Sequence, residues 1–259
     1  MSPRSIRSVM DRLLGFVRGS GPADRVRGLD EEVRFWRKWL KSGGLEWPQD
    51  YRDRFNLSRP LPPHLAGYVD QLAANRVQIL DVGAGPLTKL GRAHPSCEVT
   101  ITPTDLLAEH YGRLLDELRI EPPIRTIYAD AEALVERFGQ GRFDIVHGQN
   151  CIDHTSDPVR AIDEMMGVCK PGGFVVLYHV ENEGRSHLYT RLHQWDFRCR
   201  NGCFVIGDRH GQETNVTERL AETGKVECMR VTDGPDVAIL AAIRKAAPVG
   251  GPETSVQNS

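Results

Sequence analysis

The sequence lacks the features that define several classes of protein. It contains no run of eighteen apolar residues, so we expect no transmembrane helix. The formal net charge is only -2 and no extra basic domain is present, which argues against a nucleic-acid-binding protein. Hydrophobic residues make up 40% of the 259 residues, which is too many for a globally disordered chain. We therefore expect one α/β domain of moderate size plus an appendage.

Cysteine is also sparse, because six cysteines spread over the chain form no dense disulfide framework. Reduced thiols in a cytoplasmic enzyme are the expected state. Cys199 and Cys203 lie near His193 and His210 in the sequence. Their spacing matches no standard zinc pattern, so we predict no metal site.

The N-terminal region differs in composition from the rest of the chain. Its first nineteen residues contain four arginines against a single aspartate. The apolar residues among them are too scattered for a signal peptide. Such a basic amphipathic segment could touch an anionic membrane surface or a partner protein, and a mobile or partner-docked tail is the preferred interpretation.

Residues 1–63 are predicted to form this basic tail and a helical cap. Residues 20–30 are interpreted as a hinge, followed by a helix from Asp30 that ends at Gly43. Its apolar face carries Val33, Trp36, Trp39 and Leu40, and the tryptophans are expected to pack rather than to bind ligand. Residues 246–259 are expected to be a disordered tail.

Residues 64–245 alternate between strand and helix patterns. The expected strands are 77–82, 98–104, 124–129, 143–147 and 174–180. The expected helices are 64–74, 86–93, 106–119, 131–138 and 157–168. A short strand is expected at 204–206, a later helix at 216–223 and an antiparallel strand pair at 226–231 and 237–243. Such alternation predicts a parallel sheet with right-handed crossovers.

The first of these strands ends in the segment from Asp81 to Gly85. Its apolar run closes on an aspartate and two glycines, which is typical of a buried strand that breaks into a tight turn. Doubly wound folds bind nucleotides at such a turn, on the carboxyl edge of the sheet.

Two further carboxylates follow strands of the same predicted sheet. Asp105 ends the second strand, where an acid accepts hydrogen bonds from a ribose diol, and Asp130 ends the third. Together with Asp81 they would surround one crevice, which favours a ligand with cationic and hydroxyl groups. Thr88 occupies the place of the last glycine in the dinucleotide fingerprint, which disfavours a pyrophosphate ligand.

These segments resemble the class I S-adenosylmethionine-dependent methyltransferases. Asp81–Gly85 is similar to that family's first motif, and Asp105 and Asp130-Ala131 match its ribose and adenine positions. Phe143–Val146, followed by Asn150 and Asp153-His154, resembles its fourth strand, and Lys170–Gly173 resembles the turn before strand five. Pro86-Leu87 departs from the family, because many members carry another glycine there.

The resemblance implies a Rossmann-like fold, with helices on both faces of a seven-stranded, mostly parallel sheet. The implied order is 3-2-1-4-5-7-6 with strand seven antiparallel. It also implies S-adenosylmethionine as cofactor, held by Asp81, Gly83, Gly85, Asp105, Leu106, Asp130, Ala131 and Asn150.

The acceptor is expected to be a small molecule or glycan that is methylated at oxygen. A histidine is expected to act as the base that removes the proton from the acceptor hydroxyl. His193 is the first candidate base and His154 the second, because a histidine pKa suits proton removal near neutrality. The predicted substrate contacts are His179, Glu181, Asn182, Gln194 and Trp195. For His154 a helix-capping or core role is equally supported, and the segment 182–203 could instead be an exposed loop anchored by Trp195.

Three other functions stay open at this stage. A nicotinamide-dependent oxidoreductase is one, although the missing third glycine counts against it. A cofactor-binding scaffold protein that retains the fold without catalysis is another. RNA methylation is the third, and the near-neutral charge argues against it.

Overall fold

The computed structural model describes residues 22–233 and 236–247. The basic tail predicted over the first nineteen residues lies outside the described residues. So does all of the predicted C-terminal tail beyond residue 247.

A seven-stranded sheet forms the centre of the fold. Its strands are β1 Arg76–Val82, β2 Glu98–Asp105, β3 Ile127–Tyr128, β4 Phe143–Gln149, β5 Cys169–Val180, β9 Gly224–Asp233 and β10 Asp236–Lys245. Five parallel strands are followed by an antiparallel pair, and the spatial order is β3-β2-β1-β4-β5-β10-β9. Both the predicted strand order and the antiparallel closing strand are confirmed.

The helices lie on both faces of this sheet, and the first of them also covers its carboxyl edge. They are α1 Pro22–Ser42, α2 Pro48–Asp53, α3 Pro63–Leu72, α4 Ala108–Leu118, α5 Leu134–Phe138, α6 Pro158–Val168, α7 Glu183–Ser186 and α8 Val216–Arg219. Two 3-10 turns cover Ala131–Ala133 and Ile152–His154. Within the described ranges, none of the helices combines the length and the apolar character that crossing a bilayer requires.

Alternating side chains of the strands build two cores. Ile79 and Ile145 face one side of the sheet, where Leu65 of α3 packs against them. Their neighbours Leu80 and Val146 face the other side and pack with α6. Because both faces are covered by apolar elements, the strands read as continuous hydrophobic runs, which is what made them visible in the sequence.

Of a second, three-stranded sheet only the short strand at 204–206 was predicted, and that strand is confirmed. The sheet consists of β6 Asp196–Arg200, β7 Cys203–Gly207 and β8 Glu213–Asn215, all antiparallel. Phe197 and Phe204 of this sheet join the core on the α6 side. The end of the segment 182–203, expected to be irregular, is therefore a strand.

The predicted hinge at 20–30 is wrong for residues 22–30, which form the first turns of α1. Pro22 lies in the first turn, where its missing N–H costs nothing. Asp24 is buried and accepts a hydrogen bond from the backbone N–H of Arg191, whose guanidinium also contacts it. Helix α1 is thus tied to the loop that precedes β6.

The predicted helix at 86–93 is also wrong. Its backbone pairs instead with the connection before α3: Arg92 N–H donates to the Leu57 carbonyl at 3.0 Å, and Leu61 N–H donates to the Ala93 carbonyl at 3.1 Å. Leu87 and Leu90, whose spacing imitates a helix, are buried in different clusters. The cap segment therefore satisfies the backbone groups that a helix would have paired internally.

Candidate active site

A cavity of about 250 Å³ opens at the carboxyl edge of β1, β2 and β4. All eight predicted cofactor residues line it, and so does His154. The lining also includes residues of α1 and of the turn at Ile152–His154. The sheet edge and the cap together therefore enclose the site.

The glycine turn forms the floor of the cavity. Gly83 and Gly85 both have φ of 67°, a left-handed conformation that side chains rarely adopt. A Cβ added to Gly83 would lie 2.3 Å from Cβ of Cys151, and one added to Gly85 would lie 2.9 Å from Cζ2 of Trp36. Both positions therefore require glycine, for the backbone conformation and for the lack of space beside it.

Asp81 is held by two buried partners. Thr88 Oγ1 donates to its Oδ2 at 2.6 Å, and Nδ1 of His147 lies 2.8 Å from its Oδ1. A glycine at position 88 could not make the first contact. The residue that departs from the dinucleotide fingerprint thus fixes the carboxylate at the end of β1.

Asp105 joins the glycine turn to the strand β2. Its Oδ2 accepts a hydrogen bond from Gly85 N–H at 3.0 Å, and its Oδ1 accepts one from Leu107 N–H at 2.8 Å. Burial raises the pKa of Asp105 to about 6; the carboxylates of Glu32 and Asp81 act in the same direction, and the two backbone donors oppose them. Each oxygen keeps one lone-pair direction for a ligand hydroxyl.

Asp130 and Asn150 line two further parts of the cavity. Asp130 Oδ1 accepts a hydrogen bond from Glu132 N–H at 2.8 Å, which begins the 3-10 turn that contains Ala131. Asn150 has a left-handed backbone, and its Oδ1 accepts a hydrogen bond from Val180 N–H at 3.0 Å. The ends of β4 and β5 are thereby held together beside the cavity.

The cap supplies lining residues that the sequence did not reveal. Arg25, Glu32 and Trp36 of α1 all line the cavity. Trp36 packs on Gly85, and its Nε1 donates to Glu32 at 2.7 Å. The amphipathic pattern of α1 predicted that Trp36 packs, but nothing in that pattern shows which element it packs against.

A cluster of histidines around Asp153 lies next to the cavity. His193 Nδ1 is 3.2 Å from Asp153 Oδ2 and 3.2 Å from His154 Nε2. His154 Nε2 is 3.5 Å from the same Asp153 oxygen, and His179 Nδ1 is 3.4 Å from Oδ1. The last pair lies within ion-pair range without hydrogen-bond geometry. Asp153 itself is 2% exposed.

The pKa values of this cluster shift in opposite directions. Burial lowers the pKa of His154 and outweighs the attraction of Asp153. Burial also opposes the charge on His193, but its hydrogen bond and charge interaction with Asp153 prevail and raise the pKa. The neighbouring histidines hold the pKa of Asp153 well below its usual range against the effect of burial. The cluster therefore favours a neutral His154 beside a charged His193–Asp153 pair.

The two candidate bases differ in their position. His154 lines the cavity, whereas His193 lies behind it and outside the lining that the described residues form. Geometry thus favours the reverse of the order that the sequence suggested.

The five predicted substrate residues make structural contacts instead of lining the cavity. His179 packs against Phe197, and Glu181 pairs with Arg230 at 2.9 Å. The amide oxygen of Asn182 accepts from Arg198 Nε at 3.0 Å, Gln194 Nε2 donates to the carbonyls of Tyr189 and Arg191, and Trp195 Nε1 donates to the carbonyl of Thr155. These contacts within the protein stabilise the segment between β5 and β6 and its neighbouring strands.

The cavity fits an adenosyl-sulfonium cofactor better than a dinucleotide. Asp81, Asp105 and Asp130 all line it, and their charges attract a cationic ligand with hydroxyl groups. Residues 86–93, which are fully described, form no helix, so the glycine turn is followed by no helix N-terminus that could hold a pyrophosphate.

Comparison with known proteins agrees with this geometry. A family model described as a methyltransferase domain matches residues 80–177. A ubiquinone biosynthesis O-methyltransferase of Shewanella halifaxensis (strain HAW-EB4) is 26% identical over 164 residues, which are 60% of this chain and 65% of that protein. The counterpart in Alkalilimnicola ehrlichii (strain ATCC BAA-1101 / DSM 17681 / MLHE-1) is 31% identical over 117 residues, 44% of this chain and 46% of that protein.

The chain is also similar to proteins that are named for a different function. A reducing polyketide synthase of Penicillium sp is 27% identical over 189 residues, which are 70% of this chain and 7% of the synthase. The chain thus spans less than two thirds of the curated relatives it matches. The solved structure of the citrinin polyketide synthase CMeT domain superposes on this chain with 17% identity and a TM-score of 0.50. The superposition covers 71% of this chain and 52% of that one, and it shows a shared fold. The matched model, the ordered motifs and the strand order together show that residues 80–177 form a domain of the class I S-adenosylmethionine-dependent methyltransferase type.

Proposed function

We propose that this protein transfers a methyl group from S-adenosylmethionine to an oxygen of a small-molecule acceptor. The observation that supports this most is the position of His154. It lines the same cavity as the glycine turn and Asp105, and Asp153 and His193 lie directly behind it. A cofactor site and a group that can accept a proton therefore share one chamber.

The cofactor residues have separate tasks in this proposal. Asp105 would accept hydrogen bonds from the ribose hydroxyls, and Asp130 with Ala131 would hold the adenine edge. Gly83 and Gly85 would leave room for the methionine part. When bound, S-adenosylmethionine supplies the electrophilic methyl group of its sulfonium.

Trp36 and Glu32 close the chamber over the glycine turn. Both residues belong to α1. By covering the cavity, this part of the cap would also exclude water from the reacting groups. The protein's main contribution to catalysis is then to hold the acceptor in line with the methyl group.

His154 accepts the proton that the acceptor hydroxyl loses. Its lowered pKa keeps it neutral near pH 7, which a base requires. His193, whose pKa is raised, is held by Asp153 and packs edge-to-face against the ring of His154, which it thereby positions. A general base of this kind contributes about 100- to 10,000-fold to the rate.

A narrower acceptor class has less support. The segment His193-Gln194-Trp195 suggested a sugar ring, yet Gln194 and Trp195 are used in loop and core contacts. We therefore propose a small molecule with an ionisable hydroxyl. Carbon methylation is the second candidate, since two of the similar proteins are polyketide synthases by name, and in one of them the similar region is named a CMeT domain. Identification of the methylated atom separates the two.

The direct experiment incubates the protein with methyl-labelled S-adenosylmethionine and a panel of phenols, sugars and polyketide thioesters. Label in a product supports the proposal. His154→Ala should lower the rate at least about 100-fold while S-adenosylhomocysteine still binds. His110→Ala, at an exposed histidine of α4, serves as the control and should change neither quantity.

Full transfer by His154→Ala would remove this residue as the base. If the wild-type protein binds the cofactor but no acceptor in the panel or in a cell extract becomes labelled, the scaffold alternative gains support. Tighter binding of NAD than of either adenosyl ligand would instead favour an oxidoreductase.

A further inference from the structure

We propose that Asp153, His154 and His193 form a binding site for a divalent cation of the zinc type. The proposal rests on the proposed function, because the site adjoins the same cavity and would activate the acceptor there. Its evidence is the convergence of three ligand atoms from two separate segments of the chain.

The separations of these atoms fit one coordination geometry. Asp153 Oδ2, His154 Nε2 and His193 Nδ1 are 3.2, 3.2 and 3.5 Å apart. In a tetrahedral zinc site with bond lengths of about 2.0–2.1 Å, ligand atoms are about 3.3–3.4 Å apart. An octahedral magnesium site has shorter ligand separations of about 2.9–3.0 Å. The ligand types point the same way, because two imidazoles and one carboxylate suit zinc better than magnesium.

Hydrogen bonding alone does not account for the cluster. Nδ1 of His193 lies 3.2 Å from both a carboxylate oxygen and a ring nitrogen. One ring nitrogen carries at most one hydrogen, so it cannot donate to Asp153 along a straight line and also bond linearly to His154. A cation between the three atoms would satisfy all of them at once.

A second observation comes from the other oxygen of Asp153. Oδ1 is buried and has no hydrogen-bond partner among the described residues, and the same is true of both ring nitrogens of His179. Buried polar atoms without partners are rare and call for an explanation, such as an ion or water. With a cation on Oδ2, small shifts of His179 would let its Nδ1–H donate to Oδ1, which is the arrangement typical of metal-bound carboxylates.

The surroundings of His193 resemble an outer coordination shell. His187 stacks on its ring with centroids 4.0 Å apart. Glu183 and His187 form, with His193, a second group of potential ligands in the same region of the chain. The stacked ring of His187 restricts the rotation of the His193 ring, and a carboxylate oxygen of Glu183 lies within 4.8 Å of a ring nitrogen of His193.

Three protein ligands leave the fourth position of a tetrahedral cation open, as catalytic zinc sites do. His154 lines the cavity, so that position can be reached from the acceptor side. An acceptor oxygen bound there loses its proton to water more readily, because the cation stabilises the resulting oxyanion. In this state His154 is a ligand, and coordination takes over the task of a free base.

The test uses the full chain after treatment with a chelator. Calorimetry with ZnCl2 should show one site, and CoCl2 should give the visible absorption bands of a four-coordinate ion. His154→Ala and His193→Ala carry the test, because their side chains are 23% and 24% exposed and tolerate truncation. Each should weaken zinc binding by more than the 10- to 100-fold typical of outer-shell partners. His110→Ala should bind zinc as the wild type does.

Two outcomes would overturn the proposal: no zinc binding by the wild type, or equal binding by wild type and His193→Ala. S-adenosylhomocysteine binding is measured on the same chelated samples. If it persists while zinc fails to bind, the cation proposal falls and the proposed function stands. If it is absent from the wild type, the proposed function fails whatever zinc does.

Discussion

The pKa of Asp105 leads to a prediction about how cofactor affinity depends on pH. Ribose hydroxyls donate hydrogen bonds to an ionised carboxylate, and protonation removes an acceptor. Because burial raises the pKa of Asp105 to about 6 in the free protein, a proton competes with the cofactor below that pH. Hydrogen bonds from the ribose stabilise the ionised form, so the pKa should fall when the ligand binds.

The size of the effect follows from linkage between proton and ligand binding. With a pKa of about 6 in the free protein and below about 4 in the complex, the dissociation constant of S-adenosylhomocysteine should be about tenfold higher at pH 5 than at pH 7. The sign is fixed, because affinity is complete above pH 7 and lost as pH falls through 6. Asp105→Asn should lose about 10- to 100-fold in affinity at pH 7, the value of hydrogen bonds to a charged group.

Isothermal titration at pH 5, 6 and 7 tests this reasoning, with wild type and Asp105→Asn compared. The wild type should release close to one proton on binding at pH 5, measured by repeating the titration in buffers of different ionisation enthalpy. The variant should release none and lose the pH slope. A flat affinity for the wild type, or an equal slope in both proteins, would refute the role assigned to Asp105.

Three further changes probe the cap and the glycine turn. Trp36→Ala should weaken S-adenosylhomocysteine binding about tenfold and destabilise the protein by about 1–3 kcal/mol, whereas Trp47→Ala, at a 43% exposed position, should stay within about 0.5 kcal/mol in a denaturant titration. Equal losses of S-adenosylhomocysteine affinity in the two variants would show that Trp36 does not contribute to the cofactor site. Arg191→Ala leaves the carboxylate of Asp24 buried without its guanidinium, so we expect a loss of about 1–3 kcal/mol by the same measurement; no loss would show that α1 is held by packing alone. Gly85→Ala forces a strained φ and a clash with the indole, so cofactor binding should be abolished by calorimetry, and unchanged affinity would contradict the turn geometry.

The central sheet was predictable because burial on both faces makes its strands visible as apolar runs. The glycine turn, Asp105 and Asp130 follow strand ends, and parallel strands bring their ends to one edge. Residues far apart in sequence could therefore be assigned to one crevice.

The cap contribution could not be predicted, because it depends on tertiary pairing. Residues 86–93 carry leucines at helical spacing, but their backbone pairs with residues 57–61. Trp36 is one of several large apolar residues on α1, and only packing shows that it covers Gly85. Local propensity carries no information about such choices.

The histidine cluster was only partly predictable from the sequence. His154 and His193 were identified as candidates from their residue type and neighbourhood. Their ranking depended on which of them reaches the cavity, and that is set by the loop between α7 and β6. The ligand atoms of Asp153, His154 and His193 come from segments about forty residues apart, so no local spacing pattern could reveal them.

The most direct test of the account is a calorimetric comparison of S-adenosylmethionine, S-adenosylhomocysteine and NAD on the full chain at pH 7.5. Both adenosyl ligands should bind at one site with an affinity of about micromolar or tighter. NAD should bind at least about 100-fold more weakly, because residues 86–93 after the glycine turn form no helix whose N-terminus could receive its pyrophosphate. NAD binding as tightly as either adenosyl ligand would contradict the assignment of the cavity.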